Sequence, residues 1–212
     1  MTDPARKTVL ITGAGGGFGS QMVRQFRAAG AKLVLTDVSD EALRDVIADA
    51  GSDLVASIAS DLSAADGCEA VAELCDAQQV MPDILVNNAG NVIFESIEEC
   101  SLEHFRLHMA IHVEGTFLGC KTALPLMKNR HEKNGGAGSS IVNMASTAAL
   151  MGYGNIPAYT AAKGAIRAMT RSIAMDCQDK GYGIRCNAIA PGGIETPMVR
   201  DISGRAGEDL ME

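Results

Sequence analysis

Tryptophan is absent from the 212-residue sequence, and aromatic residues of all kinds make up 4% of it. Because the hydrophobic fraction is still 47%, the core has to be built mainly from aliphatic side chains. A chain of this length can bury enough surface to fold without disulfides or metal, so we expect a single domain over residues 1–212. The 23 glycines indicate that much of the information lies in backbone geometry.

Long apolar runs are also absent. No stretch approaches the length of a membrane span, and the first seven residues lead into a strand-like run instead of a secretory signal. We therefore expect a cytoplasmic protein. The 18 Lys and Arg residues against 26 Asp and Glu residues give a net charge of −8, which disfavours nucleic acid and anionic membrane as partners.

The six cysteines contain no CxxC pair and no Cys/His cluster of the zinc-finger type. We expect them to act as small apolar side chains in a reducing compartment, with no metal bound. They are Cys68, Cys75, Cys100, Cys120, Cys177 and Cys186.

Short runs rich in Val, Ile and Leu alternate with longer segments of helical period. Such runs are typical of strands buried on both faces of a parallel sheet. The predicted strands are residues 8–12, 32–36, 54–58, 83–87, 140–144 and 184–189. The predicted helices are residues 18–29, 40–50, 64–79, 102–129 and 159–180, the second with Ser39 as its N-cap. This alternation predicts an α/β fold with right-handed crossovers.

Residues 12–19 (TGAGGGFG) join the first predicted strand to the first helix. Glycines in that position let the backbone approach a pyrophosphate, and the helix N-terminus favours its negative charge. The spacing of Gly13, Gly17 and Gly19 differs from the usual GxGxxG, so a plain strand–helix connector is the alternative.

Asp37 ends the second predicted strand, 18 residues after Gly19. A carboxylate there can accept hydrogen bonds from an adenosine ribose and would repel a 2′-phosphate. No Arg or Lys lies in the glycine loop or directly after Asp37, so we expect NAD as the cofactor in preference to NADP. The alternative is a solvated loop aspartate.

Tyr159 and Lys163 are four residues apart and therefore share one face of a helix. The ammonium can lower the pKa of the phenol from about 10, which would prepare Tyr159 to exchange a proton with a carbonyl or alcohol oxygen. Ser146 follows the fifth predicted strand, at the edge of the sheet where ligands of open α/β folds bind.

The ordered motifs resemble those of the short-chain dehydrogenases/reductases over nearly the whole chain. They are Thr12 and Gly13 with Gly17 and Gly19, Asp61 with Leu62, residues 87–90 (NNAG), Ser146 with Tyr159 and Lys163, and residues 191–196 (PGGIET). The resemblance implies a Rossmann-like, doubly wound parallel sheet of order 3-2-1-4-5-6 with helices on both faces. It also implies metal-free hydride transfer between a nicotinamide and an alcohol or ketone.

The resemblance further implies roles for single residues. Tyr159 would be the acid/base, Lys163 would also bind the nicotinamide ribose, and Ser146 would orient the substrate oxygen. Besides Asp37, Tyr159 and Lys163, cofactor contacts are implied for Gly13, Gly17, Phe18, Gly19, Asp61, Leu62, Asn88, Ala89, Gly90, Pro191, Gly192, Ile194 and Thr196.

His112 departs from the family pattern, which has an asparagine there that supports a proton-relaying water. A neutral histidine can donate or accept a hydrogen bond and could keep the relay. The alternative is a packed histidine that rearranges it. His104, His108 and His112 also form a stripe at four-residue spacing, which we interpret as a core or interface face in preference to a metal site.

In the family, the fourth and fifth helices pack against another subunit. The resemblance therefore implies a homo-dimer or homo-tetramer through the predicted helices 102–129 and 159–180. Family members also continue past residue 198 with a substrate-covering region and a seventh strand, whereas 15 residues follow Pro197 here. We expect the seventh strand to be missing, either because the protein is shortened or because the sequence is partial.

Two functions remain open at this point. The first is an NAD-dependent oxidoreductase for secondary alcohols or ketones, and the second is a catalytically weak NAD-binding or regulatory protein. The apolar side chains Leu150, Met151, Tyr153 and Ile156 favour a steroid, fatty-acyl or cyclic substrate if they face the site. The alternative is that these four side chains pack on the protein itself.

Overall fold

The computed structural model describes residues 4–133, 138–194 and 196. Six parallel strands form one sheet in the order β3-β2-β1-β4-β5-β6, as predicted. They are β1 (Thr8–Thr12), β2 (Lys32–Asp37), β3 (Leu54–Ala59), β4 (Ile84–Asn87), β5 (Ser139–Met144) and β6 (Ile184–Ile189). The order reverses between β1 and β4, so the carboxyl ends of these two strands open a crevice. The expectation about a seventh strand concerns residues outside the described part.

The α-helices are α1 (Gly17–Ala28), α2 (Asp40–Ala50), α3 (Ala65–Ala77), α4 (Leu102–His108), α5 (Gly115–Lys133) and α6 (Pro157–Asp179). Ser39 caps α2 as predicted, because its Oγ accepts the Ala42 N–H at 3.2 Å. The predicted helix 102–129 is divided by a π-helical segment, Met109–Glu114, which carries His112. No helix of the described residues is long and apolar enough to cross a membrane.

Aliphatic residues on alternate sides of the strands fill two cores, one on each face of the sheet. Leu10, Val34 and Leu85 lie in one core, whereas Val9 and Leu33 lie in the other. The central strands β1, β2, β4 and β5 are therefore buried on both faces as predicted, whereas the edge strands β3 and β6 are partly exposed. Of the six free cysteines, five are buried, and Cys100 is half-buried.

A chain of buried polar side chains crosses β4, β5 and α6. Asn87 Nδ2 donates to Asn143 Oδ1 at 2.9 Å, and Asn143 Nδ2 donates to Thr170 Oγ1 at 2.9 Å. Thr170 in turn donates to the Ile166 carbonyl at 2.7 Å. Because buried amides are costly unless they are bonded, this chain fixes α6 against the two strands whose ends carry the site.

Candidate active site

A cleft of about 590 Å³ lies at the carboxyl end of the sheet. It brings together nearly all the predicted site residues, from both halves of the chain. Its lining includes Gly13, Gly17, Phe18, Asp37, Asp61, Leu62, Asn88, Ala89, Gly90, His112, Ser146, Tyr159, Lys163, Pro191, Gly192, Ile194 and Thr196. Gly19, which also belongs to the predicted site, lies outside this lining.

The glycine loop needs two of its glycines for packing. Gly13 has φ +62°, and a Cβ there would lie 2.7 Å from Ala89 Cα. A Cβ on Gly19 would collide with the Gly13 carbonyl, so α1 can pack this closely against the loop only with glycine at this position. The loop can therefore approach a ligand with bare backbone, as a pyrophosphate requires.

Thr12 and Asn88 join the ends of β1 and β4. Thr12 Oγ1 accepts the N–H groups of Asn88 and Ala89 at 2.9 and 3.0 Å. Asn88 Nδ2 donates to the carbonyls of Thr12 and Gly13 at 3.0 and 2.9 Å. The Asn88 side chain therefore holds the glycine loop and links the ends of the two strands.

Two aspartates form the acidic end of the cleft. Asp37 Oδ2 accepts the Gly15 N–H at 2.9 Å, and its Oδ1 accepts the Ser39 N–H at 3.3 Å. Asp61 Oδ1 accepts the N–H and Oγ–H of Ser63, at 2.9 and 2.7 Å. Both carboxylates are thus held in position along the cleft wall. A dinucleotide fits this arrangement, because the bare glycine backbone and a fixed acceptor for ribose hydroxyls occur in one cleft.

Ser146, Tyr159 and Lys163 meet at the other end. Lys163 is buried, donates to the Met144 carbonyl at 2.7 Å, and lies with Nζ 5.4 Å from the centroid of the Tyr159 ring. Burial lowers the pKa of Lys163 to about 8. Ser146 begins a short 3₁₀ turn, in which its Oγ accepts the Ala148 N–H at 3.1 Å.

The pKa of Tyr159 moves in the opposite direction from the sequence-based expectation. Burial raises it, and the interaction with the Ser146 hydroxyl opposes that rise. Lys163 does not reverse this, because burial of the phenol dominates and the ammonium bonds to the Met144 carbonyl. In this structure Tyr159 is therefore a protonated donor at neutral pH.

The family model described as "short chain dehydrogenase" matches residues 7–206. The chain belongs to this family. It is accordingly an oxidoreductase that transfers hydride between a nicotinamide cofactor and a secondary alcohol or ketone.

Characterised relatives of this short-chain dehydrogenase cover almost all of it. The NADP-dependent (R)-specific alcohol dehydrogenase of Lentilactobacillus kefiri is 33% identical, over 100% of this chain and 82% of the relative. The 3-beta-hydroxysteroid dehydrogenase of Comamonas testosteroni is 32% identical, over 92% and 73%. The crystal structure of 3-ketoacyl-(acyl-carrier-protein) reductase from Brucella melitensis complexed with NADH has a TM-score of 0.86 at 31% identity, over 93% and 80%.

In this short-chain dehydrogenase His112 is held as a neutral imidazole. Its Nε2 lies 2.8 Å from the Asn91 carbonyl, which can only accept, so Nε2 carries the proton. Nδ1 is then an acceptor, and it is buried without a partner among the described residues. Burial and the charge of Lys163 lower the pKa of His112 to about 3, although the bond to Asn91 opposes this.

Two of the three histidines of the stripe, His108 and His112, face the interior, whereas His104 is half-buried. His108 and His112 are each 1% exposed, and their rings stack with centroids 5.9 Å apart. Both rings meet Tyr159 edge to face, with centroids 6.2 and 5.3 Å away. No group of three or more metal-ligating side chains occurs among the described residues.

The substrate end differs from the predicted wall. Of the four apolar residues considered for it, Ile156 lines the cleft, whereas Leu150, Met151 and Tyr153 are 59%, 61% and 41% exposed and are not part of the lining. The apolar side chains that do line the cleft here are Val92, Phe94, Leu107, Ile111, Met144 and Ile156. The sequence-based prediction missed Val92 and Phe94. Their position just after the NNAG motif could have indicated that they lie beside the site.

Proposed function

We propose that the protein is an NAD-dependent dehydrogenase/reductase in which Tyr159 is the acid/base, supported by Ser146 and Lys163. The observation that carries this proposal is that these three side chains line the same cleft as the glycine loop and Asp37. When bound, NAD(H) supplies the ring carbon that gives or accepts hydride.

The Tyr159 hydroxyl would donate a proton to the substrate oxygen during reduction and take one during oxidation. Its raised pKa keeps it protonated, which suits reduction directly. For oxidation the phenolate has to form, and the adjacent Lys163 ammonium would stabilise that anion. The Ser146 hydroxyl would hold the substrate oxygen and stabilise the charge that develops on it.

The Nδ1 atom of His112 gives this residue a defined place in the proposal. Because it is an unprotonated, buried acceptor, it could hold a water or another donor that receives protons from Lys163. A neutral imidazole with a pKa of about 3 would not itself carry the proton as a cation. His112 would therefore support the relay as an acceptor, as the asparagine side chain of the family can.

Choice of NAD over NADP rests on Asp37. Its carboxylate would bond the ribose hydroxyls and repel a 2′-phosphate. Lys163, at the opposite end, is the sole Lys or Arg among the described residues that line the cleft, so no cation is available to bind such a phosphate. The Lentilactobacillus kefiri relative is NADP-dependent, which makes this preference a property to be tested for this chain.

The remaining assignments extend along the cleft. Cofactor contacts are proposed for Gly13, Gly17, Phe18, Asp61, Leu62, Asn88, Ala89, Gly90, Pro191, Gly192, Ile194 and Thr196. The apolar wall around Phe94 and Ile111 supports a largely apolar secondary alcohol or ketone as substrate, and the hydroxysteroid relative has a substrate of that kind.

We also propose a cytoplasmic homo-oligomer. Exposed apolar side chains on three helices favour association through them, namely Leu102 and Phe105 of α4, Phe117 of α5 and Met175 of α6. Light scattering after size-exclusion chromatography should give a dimer or tetramer, and a monomer at micromolar concentration would contradict the proposal. The six free thiols fit a reducing compartment.

The deciding experiment follows NADH formation with a panel of secondary alcohols, for the wild type and for Tyr159→Phe. Phe keeps the ring that meets His108 and His112 edge to face but removes the hydroxyl. We expect turnover to fall by at least about a hundredfold while NADH binding is retained. Cofactor binding without Tyr159-dependent turnover on any alcohol would favour the catalytically weak NAD-binding protein instead.

A further inference from the structure

Three histidines on one side of the α4 and π-helical region contact a single segment beside the cleft, residues 91–95, which we name the strap. The contacts are His112 Nε2 to the Asn91 carbonyl (2.8 Å), His108 Nε2 to the Ile93 N–H (3.3 Å) and His104 Nδ1 to Glu95 Oε1 (2.7 Å). Each step of four residues along the helical region corresponds to a step of two residues along the strap. We name this set of contacts the histidine ladder.

The two spacings match physically. Four helical residues rise about 6 Å, and two extended residues rise about 6.6 Å. A segment bonded at residues 91, 93 and 95 is therefore held in one register along the helical region. In this register Asn91, Val92 and Phe94 line the cleft, whereas Ile93 does not.

His108 fixes the alignment of the strap along the helical region most strictly. Its Nδ1 lies 2.9 Å from the His104 carbonyl and must donate, so its Nε2 must accept from the Ile93 N–H. Both nitrogens are thus used, and the ring is 1% exposed. A slip of one residue along the strap would break this bond and move Val92 and Phe94 from their places in the cleft wall.

Both ends of the strap are held as well. A Cβ on Gly90 would lie 2.6 Å from His112 Cε1, so the chain passes directly over that ring. At the other end the Glu95 N–H donates to the Asn155 carbonyl at 2.7 Å, just before α6. The strap is therefore fixed between the helix of the histidines and the helix of Tyr159.

We propose that the histidine ladder determines substrate selectivity, by holding Val92 and Phe94 against the apolar part of the substrate. His104 and His108 are positioning residues in this scheme, and Phe94 is the selectivity-determining contact. Leu107 and Ile111, from the same helical region, complete the apolar wall beside it. The inference rests on the proposed function, because it concerns the secondary alcohol that Tyr159 would act on.

The first test compares kcat/KM for cyclohexanol with kcat/KM for 2-propanol. We expect Phe94→Ala to change this ratio by about tenfold or more, because deleting the ring enlarges the apolar wall. Ile93→Ala is the matched control, since its side chain lies outside the cleft lining, and should leave the ratio within about twofold. NADH affinity should stay unchanged in both variants. An unchanged ratio in Phe94→Ala would overturn the selectivity role.

The second test separates positioning from folding. His108→Phe keeps a ring beside Tyr159 but removes both nitrogens, whereas His108→Gln retains an acceptor that can reach the Ile93 N–H. Hydrogen exchange of the Ile93 amide should quicken by about tenfold in His108→Phe and be restored in His108→Gln. The ratio of kcat/KM for cyclohexanol to kcat/KM for 2-propanol should shift in His108→Phe in the same way as in Phe94→Ala. His108→Gln should restore the wild-type ratio.

These outcomes distinguish the two proposals. If the wild type oxidises no alcohol of the panel, the proposed function fails, and the ladder is then judged by exchange of the Ile93 amide alone. If exchange and the ratio are the same in His108→Phe as in the wild type, the ladder is overturned while the proposed function stands. If His108→Phe is less stable than the wild type but has the same kcat/KM ratio for the two alcohols, the histidines have only a structural role, and the proposal is overturned.

Discussion

At the scale of single residues, the sequence predicts which side chains share the site but not the pKa values that they have there. Ser146, Tyr159 and Lys163 line one cleft as expected. The predicted direction of the Tyr159 pKa shift was wrong, because burial raises the pKa. Two of the rings beside the phenol, His108 and His112, come from a different part of the chain. Spacing along one helix carries no information about those neighbours.

His112 gives the first prediction. If its Nδ1 serves as the acceptor of the relay, His112→Asn should retain turnover within about tenfold, whereas His112→Ala should lose about a hundredfold, since only Asn keeps a polar group there. Steady-state rates with NAD and a secondary alcohol measure this. Equal rates for the two variants would contradict the relay, and a stable fold in both is confirmed by thermal unfolding.

The second prediction concerns the stability cost of Lys163. Burial lowers its pKa from 10.5 to about 8, so the charged form is disfavoured in the folded state. This penalty is fully present below about pH 8 and is relieved as the pH rises toward 10.5. Lys163→Met should therefore raise the free energy of unfolding at pH 7 by about 1–2 kcal/mol, part of the gain being offset by the unpaired Met144 carbonyl.

Urea denaturation across the pH range checks the Lys163 prediction. The gain should shrink above pH 8, and turnover of the Met variant should fall by at least about a hundredfold. The exposed Lys121→Met is the control and should change stability by less than about 0.5 kcal/mol. A Met variant that is less stable than the wild type at pH 7 would show that the buried ammonium is stabilising.

At the scale of elements, the apolar pattern and the capping residues predict where strands and helices begin and end, but they do not predict irregularities within a helix. The strand 8–12 and the helix 40–50 occur as predicted, since Val, Ile and Leu runs and the Ser39 cap are local signals. The π-helical segment Met109–Glu114 interrupts a continuous helical period, and nothing in the local residues distinguishes its wider turns from an α-helix. The position of the strap was not predicted either, because its contacts come from histidines elsewhere in the sequence and leave no signal in residues 91–95 themselves.

Asp83 gives a prediction for the junction of β1, β4 and α5, at the opposite end of the sheet from the site. Its carboxylate is 1% exposed and accepts from Lys7 Nζ, the Thr8 N–H and the Arg130 guanidinium at 2.9–3.3 Å. Burial alone would raise the pKa of Asp83, but the bonds from Arg130 and Thr8 and the two positive charges outweigh it and lower the pKa. The carboxylate therefore contributes stability above its ordinary pKa of 3.8.

We expect Asp83→Asn to cost about 2–4 kcal/mol of unfolding free energy at pH 7, because it leaves Arg130 without its charged partner. The difference should shrink as the pH falls below the ordinary pKa of 3.8, because the carboxylate then takes up its proton in the unfolded chain before it does so in the folded protein. The exposed pair of Asp49 with Arg24, at 2.8 Å, is the control, and Asp49→Asn should cost less than about 1 kcal/mol. Equal costs for the two variants would contradict the role of the junction.

At the scale of the whole molecule, the strand order determines where a ligand can bind, and this much the sequence does predict. The reversal between β1 and β4 is present, and the glycine loop and residues 88–90 meet across it through Thr12. A ligand that bridges the two halves should therefore stabilise the whole sheet against unfolding. This stabilisation depends on binding alone and does not require an identified substrate.

NADH at about a hundred times its dissociation constant should add about 2.7 kcal/mol, which corresponds to a rise in Tm of roughly 5–10 °C for a domain of this size. NADPH at the same concentration should give a much smaller rise, because Asp37 repels its 2′-phosphate. Asp37→Asn removes the charge but keeps an acceptor for the Gly15 N–H, so it should narrow the difference between the two cofactors without loosening the glycine loop. Asp37→Ala should narrow that difference and also lower the Tm without cofactor. A wild type that NADPH stabilises more than NADH would refute the assignment of NAD.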